Sequence, residues 1–384
     1  MARLDEIFDL QMGKTPSRNN ADYWTDGQYN WVSIADLGTY SKYVEETKEK
    51  ISALAVQESG IKSVPSNTVI MSFKLSLGKT AITQEPIYTN EAIMAFIPTG
   101  KYEVLPDYFY HLFSAKDWTK GTNRAVMGTT LNKATLGAVS ITVPPIDEQR
   151  KIAAVLDKVS GLIAKRRQQL DKLDELVKSR FIEMFGVYPA NPMGWEIGTI
   201  RDIVTEVRYG SSRPAVDGGK YPYLRMNNIT YGGELDLSDT KRIDIPDNEL
   251  DKCTVRRGDI LFNRTNSKEL VGKTCVYDRD EMMVLAGFVI RIRVKDRILP
   301  EFLSAFLNTD FSKQMLLGMC KTAIGQANIN AQELQNIGLY LPPVELQRRF
   351  VQFKKETDKS KLAIQKSLER LEILKKALMQ EYFG

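Results

Sequence analysis

The stretch TVPPIDEQRKIAAVLDKV at 142–159 returns as YLPPVELQRRFVQFKKET at 340–357. Pro144 and Pro342, Gln149 and Gln347, Arg150 and Arg348 stand 198 positions apart in each case. A repeat of this kind constrains the fold more than composition does, because both copies must form the same unit. The echo runs on without a gap from 131–186 to 329–384, matching Asn132 to Asn330, Leu173 to Leu371, Lys178 to Lys376 and Glu183 to Glu381. Upstream it is looser but in order. MGKTPSR at 12–18 faces YGSSRPA at 209–215, and NWVSIADL at 30–37 faces PYLRMNNI at 222–229. VPSNTVIMSF at 64–73 faces VRRGDILFNR at 255–264, LGKTAI at 77–82 faces VGKTCV at 271–276, and LPDYFYHLF at 105–113 faces LPEFLSAFL at 299–307. The offset drifts as loop insertions would make it. The chain is a tandem duplication with a period too long for a solenoid.

Each copy reads as two parts. The first mixes short β-branched and aromatic runs with turn signals: NTVIMSF, GFVIRIRV and SITV as strands, PDYFYHLFSA and PEFLSAFLNT as helices opened by a proline. The second is one long helix, about 147–185 and 345–383, started by the proline pair. The expected order is a globular part over 1–143, a helical spacer over 144–186, a linker over 187–194 (VYPANPMG), a second globular part over 195–341 and a second spacer over 342–384. The fold class is α/β (α+β), two parts in tandem. In the first helix Ile152, Val159 and Leu173 alternate with Leu156, Ile163, Leu170, Val177 and Met184 in steps of three and four, with Arg166 and Arg180 on the same seam. The second offers Phe350, Ile364, Leu368, Leu371, Leu374 and Leu378, interrupted by Lys354 and Lys361. Two such helices are expected to pair with each other, each a rod of ~58 Å.

Several chemistries are argued against. Gly-Lys-Thr occurs at 13–15, 78–80 and 272–274, but a phosphate loop needs a further glycine five positions earlier, where Phe8, Phe73 and Ser267 stand. An amino-methyltransferase would place a polar residue before Pro-Pro and an aromatic after it. Here Val143 and Leu341 precede, while Ile146 and Val344 follow. The single histidine, His111, lies in an apolar helix, where a structural role is expected. Three cysteines without a CxxC pair suit a reduced, cytoplasmic setting and no zinc site. MARLDEIFDL has acidic residues where a signal peptide needs an apolar core, and MMVLAGFVI at 282–290 is too short to span a bilayer, so no membrane partner is expected. A net charge of +5 is compatible with nucleic acid without requiring it.

What remains is a set of loops rich in groups that contact phosphates and base edges. The candidates are Ser17, Arg18, Lys74, Lys79, Asn123 and Arg124 in the first copy. In the second they are Ser211, Ser212, Arg213, Arg225, Asn227, Arg264, Asn266, Lys268, Lys273, Lys321 and Gln326. Corresponding loops differ while their flanking strands stay similar, as two readers of different half-sites would.

On PPIDEQRKIAAVLDKV, LIAKRRQQLDKLDELVKSRFIEMFG, NPMGW and GKTPSR the chain resembles the specificity subunits of type I restriction–modification systems. The resemblance implies two target-recognition domains, each followed by a helical spacer, the helices packing as an antiparallel coiled coil with pseudo-two-fold symmetry. It implies a non-catalytic subunit that reads a bipartite target on double-stranded DNA. Two methylation subunits would bind S-adenosylmethionine, and translocating nuclease subunits would join for restriction, with no cofactor bound by this chain. The rival readings are a stand-alone DNA-binding regulator and a coiled-coil scaffold.

Overall fold

The computed structural model describes residues 1–74, 76–119, 123–125, 128–323 and 326–384, apart from the side chains at 123–125, 128–130, 321–323 and 326. The chain divides into two compact units: Met1–Arg167 with Lys366–Gly384, and Gln168–Gln365. The long helices run Ile146–Phe185 and Val344–Phe383, and both pass from one unit to the other along their length. Each unit therefore holds the start of its own helix and the end of the other copy's.

The first unit is built on an antiparallel sheet in the order Phe8–Met12, Ile93–Pro98, Val69–Ser72, Thr80–Ile82. The second repeats it with Val204–Tyr209, Val289–Val294, Ile260–Asn263 and Thr274–Val276. The register agrees too: Val69 faces Phe96 as Ile260 faces Ile292. A second small sheet in each unit contains one parallel pair, Trp31 with Tyr88 and Tyr223 with Val284. Central strands such as VIMS and ILFN are buried at every position, which is why they read as apolar runs closed by one buried polar residue, Ser72 or Asn263. A helix opened by proline packs on each main sheet, Pro106–Ala115 and Pro300–Leu307. The second stops at Leu307, short of the expected NT, because Thr309 caps a further helix, Asp310–Met319.

The repeated Pro-Pro-x3-Gln-Arg motif now has a physical reason. Gln149 is fully buried: its Oε1 accepts the Leu105 N–H at 2.9 Å, and its Nε2 donates to the Glu103 and Pro144 carbonyls, both at 2.9 Å. Gln347 makes the same three bonds, with the Leu299 N–H at 2.8 Å and the Arg297 and Pro342 carbonyls at 3.1 and 2.8 Å. The amide pins the first turn of each long helix to the segment that enters the proline-led helix. Arg150 and Arg348 stay exposed and pair one turn back with Asp147 and Glu345.

The first helix buries the expected seam. Ile152, Leu156, Val159 and Ile163 are buried, and Arg166, Leu170, Leu173, Val177, Arg180 and Met184 are half-buried among exposed neighbours. Within the second unit Phe181 stacks its edge on Phe350 at 5.2 Å, while Asp174 meets Lys361 at 2.7 Å, so the helix segments there run antiparallel. Within the first, Arg167 bonds Glu372 at 2.7 Å, and Leu378, Met379, Tyr382 and Phe383 pack on the core that includes Ile152 and Leu156. Two seam readings need correction. Leu374 is 45 % exposed, and Lys375 takes its place, since the four-three stepping from Phe350 reaches 371, 375 and 378. Lys361 does not interrupt the seam: it lies in it, neutralised by Asp174 and Glu234.

The segment 187–194, largely exposed, is pinned at Tyr188 and Asn191. Tyr188 meets the rings of Phe306, Phe311 and Tyr340, Asn191 bonds the Tyr340 hydroxyl and the Trp195 backbone, and the Trp195 indole donates to the Phe185 carbonyl.

Candidate nucleic-acid interface

Four backbone hydrogen bonds fix the candidate loops in each unit. In the first, Gly13 N–H donates to Ile93 and Lys14 to Thr89, Phe73 donates to Ala92, and Leu131 donates to Phe73. In the second, Gly210 donates to Val289 and Ser211 to Leu285, Arg264 donates to Phe288, and Ile329 donates to Arg264. Three separate stretches of sequence thus meet around one turn, 89–93 or 285–289. Glycine is needed at 13 and 210 because an added Cβ would come within 2.2 Å of the Thr89 or Leu285 carbonyl oxygen. The Gly-Lys-Thr glycines serve another close approach. Gly78 and Gly272 have φ of 82° and 79°, and a Cβ there would strike Trp118 at 2.9 Å or Leu316 at 2.7 Å.

On this frame the described candidate side chains, Arg264 apart, fall into three groups. Some are exposed: Ser17, Ser212, Asn227 and Lys268. Others are held by acidic partners. Arg18 forms a two-pronged pair with Glu49, one arm at 2.8 Å, and lies 3.7 Å from the Trp24 ring centre. Arg213 is paired likewise with Glu249 at 2.7 and 3.1 Å, and Arg225 donates to Asp239 at 2.9 Å. The hydrogen bonds they donate to Glu49 and Glu249 hold the guanidinium pKa values of Arg18 and Arg213 above their ordinary value. A bidentate partner fixes the fork of an arginine but occupies the donors that a guanine would need. Arg264 is different. It is half-buried, stacks 4.6 Å from the Tyr209 ring, and its Nε lies buried without a hydrogen bond.

A third group is committed to the fold. Lys273 is only 7 % exposed and donates to the Met226 carbonyl at 2.8 Å, with burial lowering its pKa. Ser211 is buried, accepting the Arg213 N–H on its hydroxyl and the Tyr223 hydroxyl on its carbonyl. Both groups turn inward and close the loops they stand on. Lys74 lies half-buried 5.1 Å from the Phe73 ring centre. Lys79 rests against Gly38, where a Cβ would be 2.4 Å from its ammonium. Asn266 accepts the Ser267 N–H at 2.8 Å. The side chains of Asn123, Arg124, Lys321 and Gln326 lie outside the described residues.

The structure brings two second-copy stretches into one sheet: Thr265–Asn266 pairs with Gln326–Asn328, which pairs with Lys321–Ala323. It also adds two aromatics absent from the sequence-based set. Phe288 is 53 % exposed between Ser211 and Arg264, and Tyr209, 42 % exposed, carries the Arg264 guanidinium. Exposed rings beside arginine suit stacking on bases. Phe288 was hidden in the run MMVLAGFVI, which reads as interior strand.

The class so defined is a duplicated mixed α/β protein whose two units present polar, aromatic-bearing loops on the same backbone frame. The chain belongs to the type I restriction modification DNA specificity domain family, whose pattern matches residues 1–174 and 192–374. Among relatives, it is 29 % identical over 260 residues to the type I restriction enzyme MjaIX specificity subunit of Methanocaldococcus jannaschii. That match covers 62 % of this chain and 59 % of the relative. It is 22 % identical over 374 residues to the EcoKI specificity subunit of Escherichia coli, covering 91 % and 78 %. In fold it is similar to the type I restriction-modification S subunit from M. genitalium, with a TM-score of 0.56 at 14 % identity over 100 % of this chain and 95 % of that one. A second solved chain, described in work on complex assembly and conformational transition of the type I R-M system, gives 0.61 at 18 %, covering 100 % and 96 %. Among the described residues no helix is long and apolar enough to cross a membrane.

Proposed function

We propose that the chain is the DNA-reading subunit of a type I restriction–modification complex in the cytoplasm. Each repeat reads one half of a bipartite target on double-stranded DNA. The two long helices pair as an antiparallel spacer that sets the unread gap. Two methylation subunits supply S-adenosylmethionine and the methyl transfer, and restriction subunits supply translocation and cleavage, so this chain performs no reaction itself. Basic side chains and backbone amides give sequence-blind affinity, and a few polar and aromatic groups discriminate. Linking two modest readings through one spacer raises their combined selectivity. The observation that carries this reading is the shared frame of four backbone hydrogen bonds bearing different side chains in the two units. One geometry with two surfaces is what two unlike half-sites call for.

Gel-shift titration of the full chain, with and without its methylation subunit, tests it. Selective binding that sharpens on adding that subunit is the expected result, together with methylated adenines mapped in cells at one split motif. Tight selective binding by the chain alone, or cells whose methylation is unchanged without it, would count against the proposal.

A further inference from the structure

Each unit anchors one loop of its β-rich part to a long helix through charge, and the two anchors have opposite sign. The loop positions are equivalent. Lys42 follows Val32 by ten residues, Glu234 follows Leu224 by ten, and those strand residues hold the same parallel register, facing Thr89 and Leu285. Lys42 bonds both carboxylate oxygens of Asp157, on the first long helix, at 2.7 Å, and also meets Asp107. In the second unit Glu234 is the acid. Lys361, on the second long helix, reaches its Oε1 at 2.6 Å and Asp174 at 2.7 Å. Both ammonium side chains are largely buried, 16 % and 11 % exposed.

One of the two surrounding positions inverts as well. Counting from the shared Leu105/Leu299 and Gln149/Gln347 contacts, Asp107 corresponds to Glu301 and Asp157 to Lys355. Exchange of the two loops would set Glu234 against Asp107 and Asp157 with their lysine gone, and would bring Lys42 against Lys361, whose remaining partner is Asp174, and against the Lys355–Glu301 pair. A correct pair of this kind, part-exposed, contributes modestly. A wrong one leaves charge buried without a partner, which costs far more. Similar repeats in one chain are prone to misassembly, and repulsion in the wrong arrangement is an effective way to prevent it.

We propose that Lys42 and Glu234 are positioning residues that seat each globular part on its own helix, and that their opposite charges keep the two copies from trading places. The tests use the full chain: amide exchange over 38–44 and 230–236, and size-exclusion profiles after refolding from urea at rising concentration. Glu234→Lys is expected to speed exchange over 230–236 roughly tenfold and leave 38–44 unchanged. Glu234→Gln, which removes only the charge, gives about threefold if the reversal does not fold. Combining Glu234→Lys with Lys361→Glu restores protection, because the introduced ammonium then faces two acids as Lys42 does. That same variant erases the charge difference between the anchors. It is therefore expected to refold with about fivefold more exchanged dimer than the native chain. The proposal is overturned if the single changes leave exchange unaltered, if the double change fails to restore it, or if the double variant refolds as cleanly as the native chain.

Discussion

The two units differ least in their backbone and most in what stands on it. Phe73 and Arg264 occupy the same node: both donate to the turn and both accept from the loop that follows. Phe73 is buried in its core, whereas Arg264 lies half-buried over the exposed Tyr209 ring. Ala92 and Phe288 are likewise equivalent, one buried and one 53 % exposed. The cover over the Gly-Lys-Thr turn is Trp118 in the first unit and Leu316, from the additional helix, in the second. Backbone hydrogen bonds do not depend on side-chain identity, so this frame tolerates substitutions that would wreck a packed core. A fold that must be kept while its readings diverge is well served by such a division.

The largest effect expected at equivalent positions is in the helix seam. Phe350 packs with Phe181, Phe185 and Val351 in the core of the second unit, and its counterpart Ile152 packs with Leu156 in the first. Phe350→Ala should cost about 4 kcal/mol and Ile152→Ala about 3 kcal/mol, by urea denaturation. Amide exchange assigns the loss to a unit. A loss spread evenly over both units in either variant would mean that the seam does not divide as the contacts do.

Next come the glutamines, where the units should agree. Gln149→Ala and Gln347→Ala each remove an acceptor from a half-buried leucine N–H and the donor from two carbonyls, a loss of about 2 kcal/mol apiece. Stability losses differing by more than about 1 kcal/mol between the two variants would break the equivalence of the two pins.

The architecture was legible in the sequence for a reason that does not extend to the interface. Duplication lets each copy check the other, and the helix limits Ile146–Phe185 and Val344–Phe383 fall within one residue of the expected 147–185 and 345–383. Seam positions follow from periodicity alone, and Leu374 failed only because Lys375, a long amphipathic side chain, can occupy a seam that apolar counting assigns to leucine. The interface depends on which way a loop residue turns. Lys79 and Lys273 are aligned lysines, yet only Lys273 is spent on a backbone carbonyl. Arg18 and Arg213 stand on corresponding loops at positions that do not align, and they are held by Glu49 and Glu249, acids contributed by unrelated elements, a strand and a helix. Such partners are set by tertiary packing, and no local pattern announces them.

The interface predictions use those same contrasts. Arg264→Ala should weaken DNA binding about tenfold and reduce the salt slope by about 1, because its guanidinium is oriented by a ring and not spent on an acid. Lys273→Ala should leave affinity within about twofold while lowering stability, since its ammonium bonds the Met226 carbonyl. Gel-shift titration at two salt concentrations separates the outcomes. A strong binding defect from Lys273→Ala would show that the loop opens on DNA.

The smallest effect concerns pH, and it belongs to the first unit, which holds the chain's one histidine. His111 is 1 % exposed, with Nε2 2.8 Å from Asp157. Burial pushes its pKa down. Asp157 opposes that shift, while Lys42 and Lys375 reinforce it, and the net direction is downward. The unfolded chain takes up a proton near pH 6.5, which the folded unit resists, so stability falls as pH drops below about 6.5. Asp157 acts in a separate window. Burial raises its pKa, but Lys42 and His111 outweigh that and hold it below the ordinary carboxylate value. Its contribution is present above about pH 4 and is lost as the solution is acidified through the folded value. Amide exchange between pH 7 and 5 should therefore loosen the Pro106–Ala115 helix before its counterpart Pro300–Leu307, which has alanine at the equivalent position 305. The opposite sign, a first unit that tightens on acidification, would mean that the Asp157 carboxylate outweighs burial and both lysines. In that case His111 would be half of an ion pair rather than a neutral ring holding the helix to Asp157.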